Sequence, residues 1–277
     1  MKVGIVANPE IKGLEGFLKR TLEALKGHEV FLESGIAKKY PKLEKKIEEF
    51  DVDAIITFGG DGTVLYTLQN MPAQVPILPI RAGLIGFLTE IDKADLEDGI
   101  GRLVKGDYVL EERMRISSKV NGRRLPDALN EVVIHTSQVA KLRHFKVKVD
   151  GELAFTIRSD GIIIATPTGS TSYSLSVGAP ILDSRLDAMV IAPIAPLWNM
   201  AKPMVVPGSS NIQITLDAPR PCSVVADGRD EVEFEGGERV ELFKSSEPAK
   251  FVRFDTNFFQ RLRKKLQAAT GMQITSH

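Results

Sequence analysis

An apolar run that ends in a glycine-rich turn constrains this sequence more than any other feature does. Residues Ala54–Phe58 form the apolar run, Gly59–Thr63 follow at once with the sequence GGDGT, and a helix is predicted over Thr63–Gln69. A short apolar run of this kind is typical of a strand that is buried on both faces of a parallel sheet. The segment therefore predicts one strand-to-helix unit of a layered α/β fold.

The same alternation fills the first third of the chain. Strands are predicted at Val3–Ala7, Glu29–Leu32 and Val75–Ile80, and helices at Gly16–Leu25 and Tyr40–Phe50. Strands that alternate with helices indicate parallel pairing. This part is therefore predicted to be an N-terminal α/β domain of Rossmann-like type.

From about residue 108 the pattern changes to short runs of β-forming residues separated by turn signals such as Asp150-Gly151 and Asp227-Gly228. The predicted strands are Phe145–Val149, Ala154–Ile157, Ile162–Ala165, Asn211–Leu216 and Arg239–Phe243. They indicate a β-rich, β-sandwich-like C-terminal domain. The last predicted element is a basic amphipathic helix over Phe258–Ala268, which we interpret as packing on a domain surface.

Composition excludes several classes of function. The chain has 277 residues with 36 acidic and 36 basic side chains, so no overall charge draws it to nucleic acid or to an anionic membrane. Its single cysteine, Cys222, excludes an intrachain disulfide, and its four histidines show no spacing typical of a zinc site. Since neither a signal peptide nor an apolar run of about 18 residues is present, we expect a cytoplasmic protein.

The glycine-rich turn is the first segment with chemical meaning. Glycines at Gly59, Gly60 and Gly62, with Thr63, let a backbone approach a phosphate whose oxygens meet the amides of the helix start. A carboxylate there repels phosphate unless Asp61 removes a proton from an attacking hydroxyl or helps to hold Mg²⁺. The alternative is a tight turn in which Asp61 caps the helix.

The second segment runs from Asp160 to Ser176, where a buried strand enters a loop rich in hydroxyl groups. Eight of the eleven residues from Thr166 to Ser176 are Ser, Thr or Tyr. Such groups suit ribose, phosphate and base edges, and Pro167 and Gly169 restrict the path of the backbone. The alternative is a solvated loop whose hydroxyls cap local turns.

Two polar pairs complete the candidates. Asn130 and Glu131 interrupt an apolar strand, so at least one of them needs a buried partner, and taken alone the pair indicates a structural hydrogen bond. Arg158 and Asp160 lie two residues apart on a predicted strand and would share a face, where a surface ion pair is the simplest interpretation.

Taken together and in this order, these segments resemble the NAD kinase family. The GGDGT turn, the Asn130-Glu131 pair, and the ATPTGSTSYSLS sequence that ends at Ser176 match motifs of the family, as does GLIGFLT over Gly83–Thr89. The resemblance spans roughly the whole chain. The serine-rich motif is the most specific, because lipid kinases and phosphofructokinases carry loops similar to GGDGT.

The resemblance implies a role for each matching residue. Asp61 would deprotonate the ribose 2′-hydroxyl of NAD, with Gly62 lining the nucleotide. Asn130 and Glu131 would hold ribose hydroxyls, and Asp160 would contact the nicotinamide end with Arg158 nearby. The remaining contacts to substrate implied by the family are Lys141, Thr171, Ser172, Tyr173, Ser174, Leu175, Ser176, Ala195 and Arg229.

The family also implies the reaction and its setting. An NAD kinase transfers a phosphoryl group from ATP, or in some members from polyphosphate, to NAD with the help of Mg²⁺ or Mn²⁺. Members are homo-oligomers, dimers or tetramers, and their C-terminal segment returns to the first domain. Residues 1–100 with 250–277 are therefore predicted as the first domain, and residues 101–249 as the NAD-binding domain.

Three departures from the family pattern fall in the expected substrate region. They are Pro79–Gly83 with the sequence PIRAG, Pro196–Trp198 with PLW, and Arg229 after Asp227-Gly228. They bear on the preference for NAD or NADH and on the phosphoryl donor. A lipid kinase, an NAD(P) sensor without activity and an NADP phosphatase are the alternative functions, and a sensor would not need Asp61.

Overall fold

The computed structural model describes residues 1–83, 86–138, 142–197, 201–217, 221–234 and 237–254, together with residues 259, 260, 262, 263 and 266. The chain divides into two compact units, of which the first comprises Met1–Glu112 with Ala249–His277 and the second Arg113–Pro248. Most of the predicted helix Phe258–Ala268 lies outside the described residues.

The α-helices whose bounds lie within the described residues are α1 Leu14–Ala24, α2 Asp61–Asn70, α3 Leu96–Lys105 and α4 Tyr173–Ser176. Strands up to residue 113 are β1 Lys2–Ala7, β2 Glu29–Glu33, β3 Glu44–Lys45, β4 Ala54–Gly59, β5 Ile77–Arg81, β6 Ile91–Asp92 and β7 Val109–Arg113. Those that follow are β8 Ile116–Val120, β9 Arg123–Arg124, β10 Glu131–Thr136, β11 Arg143–Val149, β12 Glu152–Ser159, β13 Gly161–Ala165, β14 Ala188–Ile194, β15 Met204–Pro207, β16 Ile212–Leu216, β17 Cys222–Ala226, β18 Asp230–Phe234, β19 Arg239–Lys244 and β20 Ala249–Arg253.

The first unit is built on one sheet with the strand order β3-β2-β1-β4-β5-β20-β7, and β6 pairs with β5. The pairs β1–β2, β1–β4, β4–β5 and β5–β20 are all parallel. The α/β prediction for this part is confirmed. Because β4 lies inside the sheet, the glycine-rich turn opens at the carboxyl edge of a parallel sheet, where ligands of such folds bind.

In this unit one predicted helix is wrong and one observed helix was not predicted. The segment 40–50 is not a helix: it forms short 3₁₀ turns at Pro41–Leu43 and Ile47–Glu49 on either side of β3. Pairing of β3 with β2 replaces the helical hydrogen bonds there. The helix α3 was not predicted, although its buried residues Leu96, Ile100 and Leu103 lie along one face at helical spacing.

The second unit consists of two six-stranded sheets with the orders β15-β14-β13-β10-β17-β18 and β12-β11-β16-β19-β8-β9. All their pairings are antiparallel. One hydrophobic core takes side chains from both sheets, such as Ile134 and Ile164 from the first and Phe145 and Ile214 from the second. The sandwich-like prediction is therefore confirmed.

The first of these sheets is buried on its other face as well. Val133, Ile163 and Val190 alternate with the residues of the sandwich core and pack with Ala179 and with the partly buried Leu182. The segment after β13 therefore covers this outer face. Among the described residues, no helix is both long and apolar enough to cross a bilayer.

Candidate active site

Asp61 is the first residue of α2, and only Gly60 separates it from the end of β4. Its side chain does not cap the helix: the N-cap residue is Gly60, and α2 has no side-chain capping bond. The carboxylate instead accepts two backbone hydrogen bonds of 3.0 Å, with Phe87 donating to Oδ2 and Leu88 to Oδ1. The alternative interpretation of Asp61 as a cap is thus wrong.

The glycines around Asp61 have steric reasons. A Cβ atom on Gly59 would fall 2.1 Å from Oγ1 of Thr63, and one on Gly86 would fall 2.1 Å from Oδ1 of Asp61. Gly62 is exposed, and a Cβ there would meet nothing within 4 Å. The turn therefore brings the Thr63 side chain onto the backbone, and Gly86 admits the Asp61 carboxylate.

A second polar cluster lies in the second unit at the start of β10. Glu131 is buried, and its Oε1 accepts a hydrogen bond of 3.0 Å from the hydroxyl of Ser172. Its Oε2 is buried without a hydrogen-bond partner among the described residues. Burial and the nearby Asp227 carboxylate raise the pKa of Glu131 to about 7, against the opposing effect of the Ser172 hydroxyl and the Tyr173 amide.

Asp227 holds the backbone of this cluster in place. Its carboxylate accepts hydrogen bonds from the amides of Leu129 at 2.7 Å, Asn130 at 2.8 Å and Glu131 at 3.1 Å. Burial raises the pKa of Asp227 to about 6, and these three amides oppose the rise. In the sequence, Asp227 is recognisable only as the first residue of the Asp227-Gly228 turn signal, and its positive φ of 49° agrees with a turn.

Several hydroxyls of the loop after β13 bond to the protein backbone. Thr166 donates to the Leu129 carbonyl at 2.6 Å, Ser170 to the Pro167 carbonyl at 2.6 Å, Ser174 to the Gly169 carbonyl at 3.0 Å, and Thr171 to the Thr168 carbonyl at 3.2 Å. The bonds of Ser170, Ser174 and Thr171 are local, as the alternative interpretation expects, whereas Thr166 bonds to a carbonyl 37 residues earlier. Thr166, Ser170 and Ser174 are buried, so the loop is not simply solvated.

The loop also needs a glycine where it meets the strand. A Cβ on Gly169 would lie 2.0 Å from the Asn130 carbonyl oxygen. The remaining residues of the motif face outward to different degrees, since Tyr173 and Ser176 are exposed and Leu175 is partly buried. The structure thus places Asn130, Glu131 and the loop together.

Two further predicted residues, Asp160 and Ala195, lie at the opposite end of the strand pair β10–β13. Asp160 precedes β13 and donates its amide to the Ile194 carbonyl, which is followed by Ala195 with a positive φ of 44°. Oδ1 of Asp160 is buried and finds no hydrogen-bond partner in the described part of the chain. A strained residue beside an unpartnered carboxylate is typical of a functional site.

The prediction that Arg158 and Asp160 share a strand face is wrong. Arg158 lies on β12, which ends at Ser159, and Asp160 leads into β13 of the other sheet. Lys141 lies outside the described residues. Arg229 is exposed and lies in the turn between β17 and β18, where its amide donates to the Ala226 carbonyl.

Comparison with known proteins identifies this arrangement. Residues 3–108 match the family model of the ATP-NAD kinase N-terminal domain, and residues 129–254 match that of the C-terminal domain. The chain belongs to the NAD kinase family. It is therefore an enzyme of the family that phosphorylates NAD to NADP, and the lipid kinase alternative is excluded.

Similar proteins cover nearly the whole chain. An NAD kinase from Pyrococcus furiosus is 38% identical over 274 residues, covering 96% of this chain and 99% of its own. One from Thermoplasma volcanium is 40% identical over 268 residues, covering 96% and 98%. The crystal structure of an NAD kinase from Archaeoglobus fulgidus in complex with ATP has a TM-score of 0.81 at 28% identity, covering 99% of this chain and all of that one.

A yeast NADH kinase complexed with NADH has the same fold, with a TM-score of 0.91 at 20% identity and coverage of 100% of this chain and 90% of that one. The family assignment and the fold thus agree along the length of the NAD kinase chain.

Proposed function

We propose that this NAD kinase transfers the terminal phosphoryl group of ATP to the 2′-hydroxyl of the adenosine ribose, with Asp61 as the general base. The observation that carries the proposal is the carboxylate of Asp61, which two amides hold beside a glycine-rich turn at the carboxyl edge of a parallel sheet. An ionised carboxylate is a base that can accept the proton of the hydroxyl group.

The glycine-rich turn is proposed to receive the phosphates of ATP. Gly59, Gly60, Gly62 and Thr63 precede or begin α2, a helix of ten residues, and the dipole of a helix favours an anion at this end. The described residues form no group of three or more His, Cys, Asp or Glu side chains that would hold a metal ion. In this proposal Mg²⁺ or Mn²⁺ binds with the nucleotide and offsets the charge of its phosphates.

NAD is proposed to bind along the strand pair β10–β13. The buried Oε2 of Glu131 and Oδ1 of Asp160 are acceptors that lack a donor in the described structure, and ribose hydroxyls and the nicotinamide amide are donors. Glu131 pairs with Ala165, and Gly161 lies four residues further along β13. At about 3.3 Å per residue, the five residues from Ala165 to Asp160 span roughly 16 Å along the backbone, a distance that suits a long ligand such as a dinucleotide.

Around these two ends, Asn130, Arg158, Ala195 and the motif Thr171–Ser176 complete the proposed contacts, together with Lys141. We also propose that the enzyme is a homo-oligomer, a dimer or tetramer. Light scattering on the purified protein measures the mass, and a mass near the 30.4 kDa of one chain would contradict this part of the proposal.

The decisive experiment incubates the purified enzyme with NAD, ATP and Mg²⁺ and measures NADP with an NADP-specific dehydrogenase. We expect NADP to form and Asp61→Asn to lower kcat by about 10²–10⁴-fold, the usual contribution of a general base. Near-normal turnover of Asp61→Asn would remove Asp61 from the role. NAD binding without NADP formation from ATP or polyphosphate would favour a sensor, and loss of added NADP would favour a phosphatase.

A further inference from the structure

Asp61 owes its orientation to a segment that has no regular secondary structure. The amides of Phe87 and Leu88 bind its two oxygens, and these residues lie between β5 and β6. The Glu90 amide donates to the Pro79 carbonyl at 2.8 Å, which ties the end of the segment to the sheet. Whatever fixes this segment therefore fixes the carboxylate.

Arg253 contacts the segment directly. It is the last residue of β20, and its side chain is fully buried. Its Nη1 donates to the Leu88 carbonyl at 3.0 Å and to Oε2 of Glu90 at 3.0 Å, and its Nε donates to Oε2 of Glu111 at 2.6 Å. The same peptide segment thus receives the guanidinium at Leu88 and offers the Leu88 amide to Asp61.

The guanidinium is itself immobilised. Its carbon lies 4.8 Å from the centre of the Phe251 ring, and the other oxygen of Glu90 accepts the Phe254 amide at 2.6 Å. Its Nη2 is buried with no partner in the described part of the chain. Buried ion pairs stabilise a fold weakly because desolvation offsets their attraction. A buried arginine with one unsatisfied nitrogen is thus better explained by the geometry that it imposes than by stability.

We infer that Arg253 is a positioning residue for the phosphoryl transfer: it holds the Leu88 peptide so that the Leu88 and Phe87 amides keep the Asp61 carboxylate aimed at the substrate hydroxyl. The inference rests on the proposed role of Asp61. It connects a strand near the C-terminus of the chain to a carboxylate 192 positions earlier, through the backbone of one residue, Leu88.

The test is a double-mutant cycle between Arg253 and Asp61. We expect Arg253→Met to lower kcat by about 10²-fold, the scale for misplacing a reacting group by about 1 Å, with KM for NAD and ATP changed less than about threefold. In the Asp61→Asn background the same substitution should lower kcat by less than about threefold, because the carboxylate that it positions is gone. Arg253→Lys should recover only part of kcat, because an ammonium group keeps the charge but cannot reproduce the planar fork of the guanidinium.

Arg20→Met is the matched control. Arg20 belongs to the same unit and pairs with Glu97 on the surface, so its loss should leave kcat within about twofold. Equal losses from Arg253→Met with and without Asp61, in folded proteins, would overturn the inference. If Arg253→Met does not fold, Arg253→Lys decides by the same cycle. Normal kcat in Asp61→Asn would instead refute the proposed role of Asp61 as general base, so the two failures are distinguishable.

Discussion

The hydroxyl of Ser172 donates a 3.0 Å hydrogen bond to Oε1 of Glu131, 41 residues earlier in the chain. This bond joins the serine-rich motif to the Asn-Glu pair, the two segments that carried the resemblance to the family. It leaves Oε2 of Glu131 as the buried acceptor without a partner among the described residues. The protein thus supplies a hydrogen bond to one oxygen of Glu131, and we propose that a ribose hydroxyl of NAD supplies one to the other.

The stability of the enzyme should depend on the ionisation of Glu131. The pKa of this side chain is raised from 4.5 to about 7 in the folded state, mainly by burial. A raised pKa means that the folded protein binds the proton more tightly, so this contribution to stability increases as the pH falls from about 8 to 5. Glu131→Gln removes the titration.

The gain in unfolding free energy of Glu131→Gln relative to the wild type should therefore be larger at pH 8 than at pH 5, by about 3 kcal/mol. Urea denaturation followed by circular dichroism at the two pH values measures the difference. A difference that does not change with pH would show that Glu131 titrates as an exposed carboxyl group does.

Ser172→Ala tests the same carboxylate through substrate binding. The Ser172 hydroxyl lowers the pKa of Glu131, so its removal should raise that pKa above about 7. We expect KM for NAD to rise on acidification, with the midpoint at a higher pH in Ser172→Ala than in the wild type. Glu131→Gln should show no such midpoint, and a midpoint that persists in that variant would assign the titration to another group.

Asp227→Asn should weaken the binding of NAD indirectly, through the backbone that the Asp227 carboxylate holds. A carboxylate accepts three amides here, and an asparagine offers one acceptor oxygen, so at least one buried amide loses its partner. The expected loss of unfolding free energy is about 1–3 kcal/mol, with a raised KM for NAD. Asp217→Asn is the control, because Asp217 pairs with Lys146 at the surface and should contribute about 0–1 kcal/mol. Equal effects of the two substitutions would contradict the role of Asp227.

Gly86→Ala should impair catalysis more than stability. The added Cβ would lie 2.1 Å from Oδ1 of Asp61 and would push the carboxylate from its amides. We expect kcat to fall by about 10²-fold with an unchanged fold. At Gly16, within α1, a Cβ meets nothing within 4 Å, and Gly16→Ala should stabilise the helix by roughly 0.5–1 kcal/mol with normal kcat. Normal kcat in Gly86→Ala would show that catalysis does not depend on the place that the Asp61 carboxylate occupies beside Gly86.

The sequence pattern predicted the parts of the fold that depend on side chains. Apolar runs identified β1, β4 and β13, and the glycine-rich turn placed Asp61 at the carboxyl edge of a parallel sheet. Pairing partners were less accessible, because they depend on contacts distant in sequence. The segment 40–50 has a composition suited to a helix, yet pairing with β2 makes part of it a strand.

The candidate site was predictable only in part. Its carboxylates stand out in the sequence, but the groups that orient them are backbone amides, such as those of Leu88 and Leu129, and any residue type supplies an amide. The hydroxyl-rich loop shows the converse: its composition suggested ligand contacts, whereas Thr166 and Ser174 bond to carbonyls. The number of polar side chains in a segment therefore does not show whether they bind a ligand or hold the backbone.

The position of β20 has a consequence for synthesis on the ribosome. This strand lies between β5 and β7 in the sheet of the first unit, yet it is made after all of the second unit. A nascent chain that ends before Ala249 therefore carries an incomplete sheet in its first unit, while Arg113–Pro248 already contains all the strands of its own two sheets. The N-terminal half of the enzyme thus has to wait for its C-terminal strand, and the internal segment is the part able to fold first.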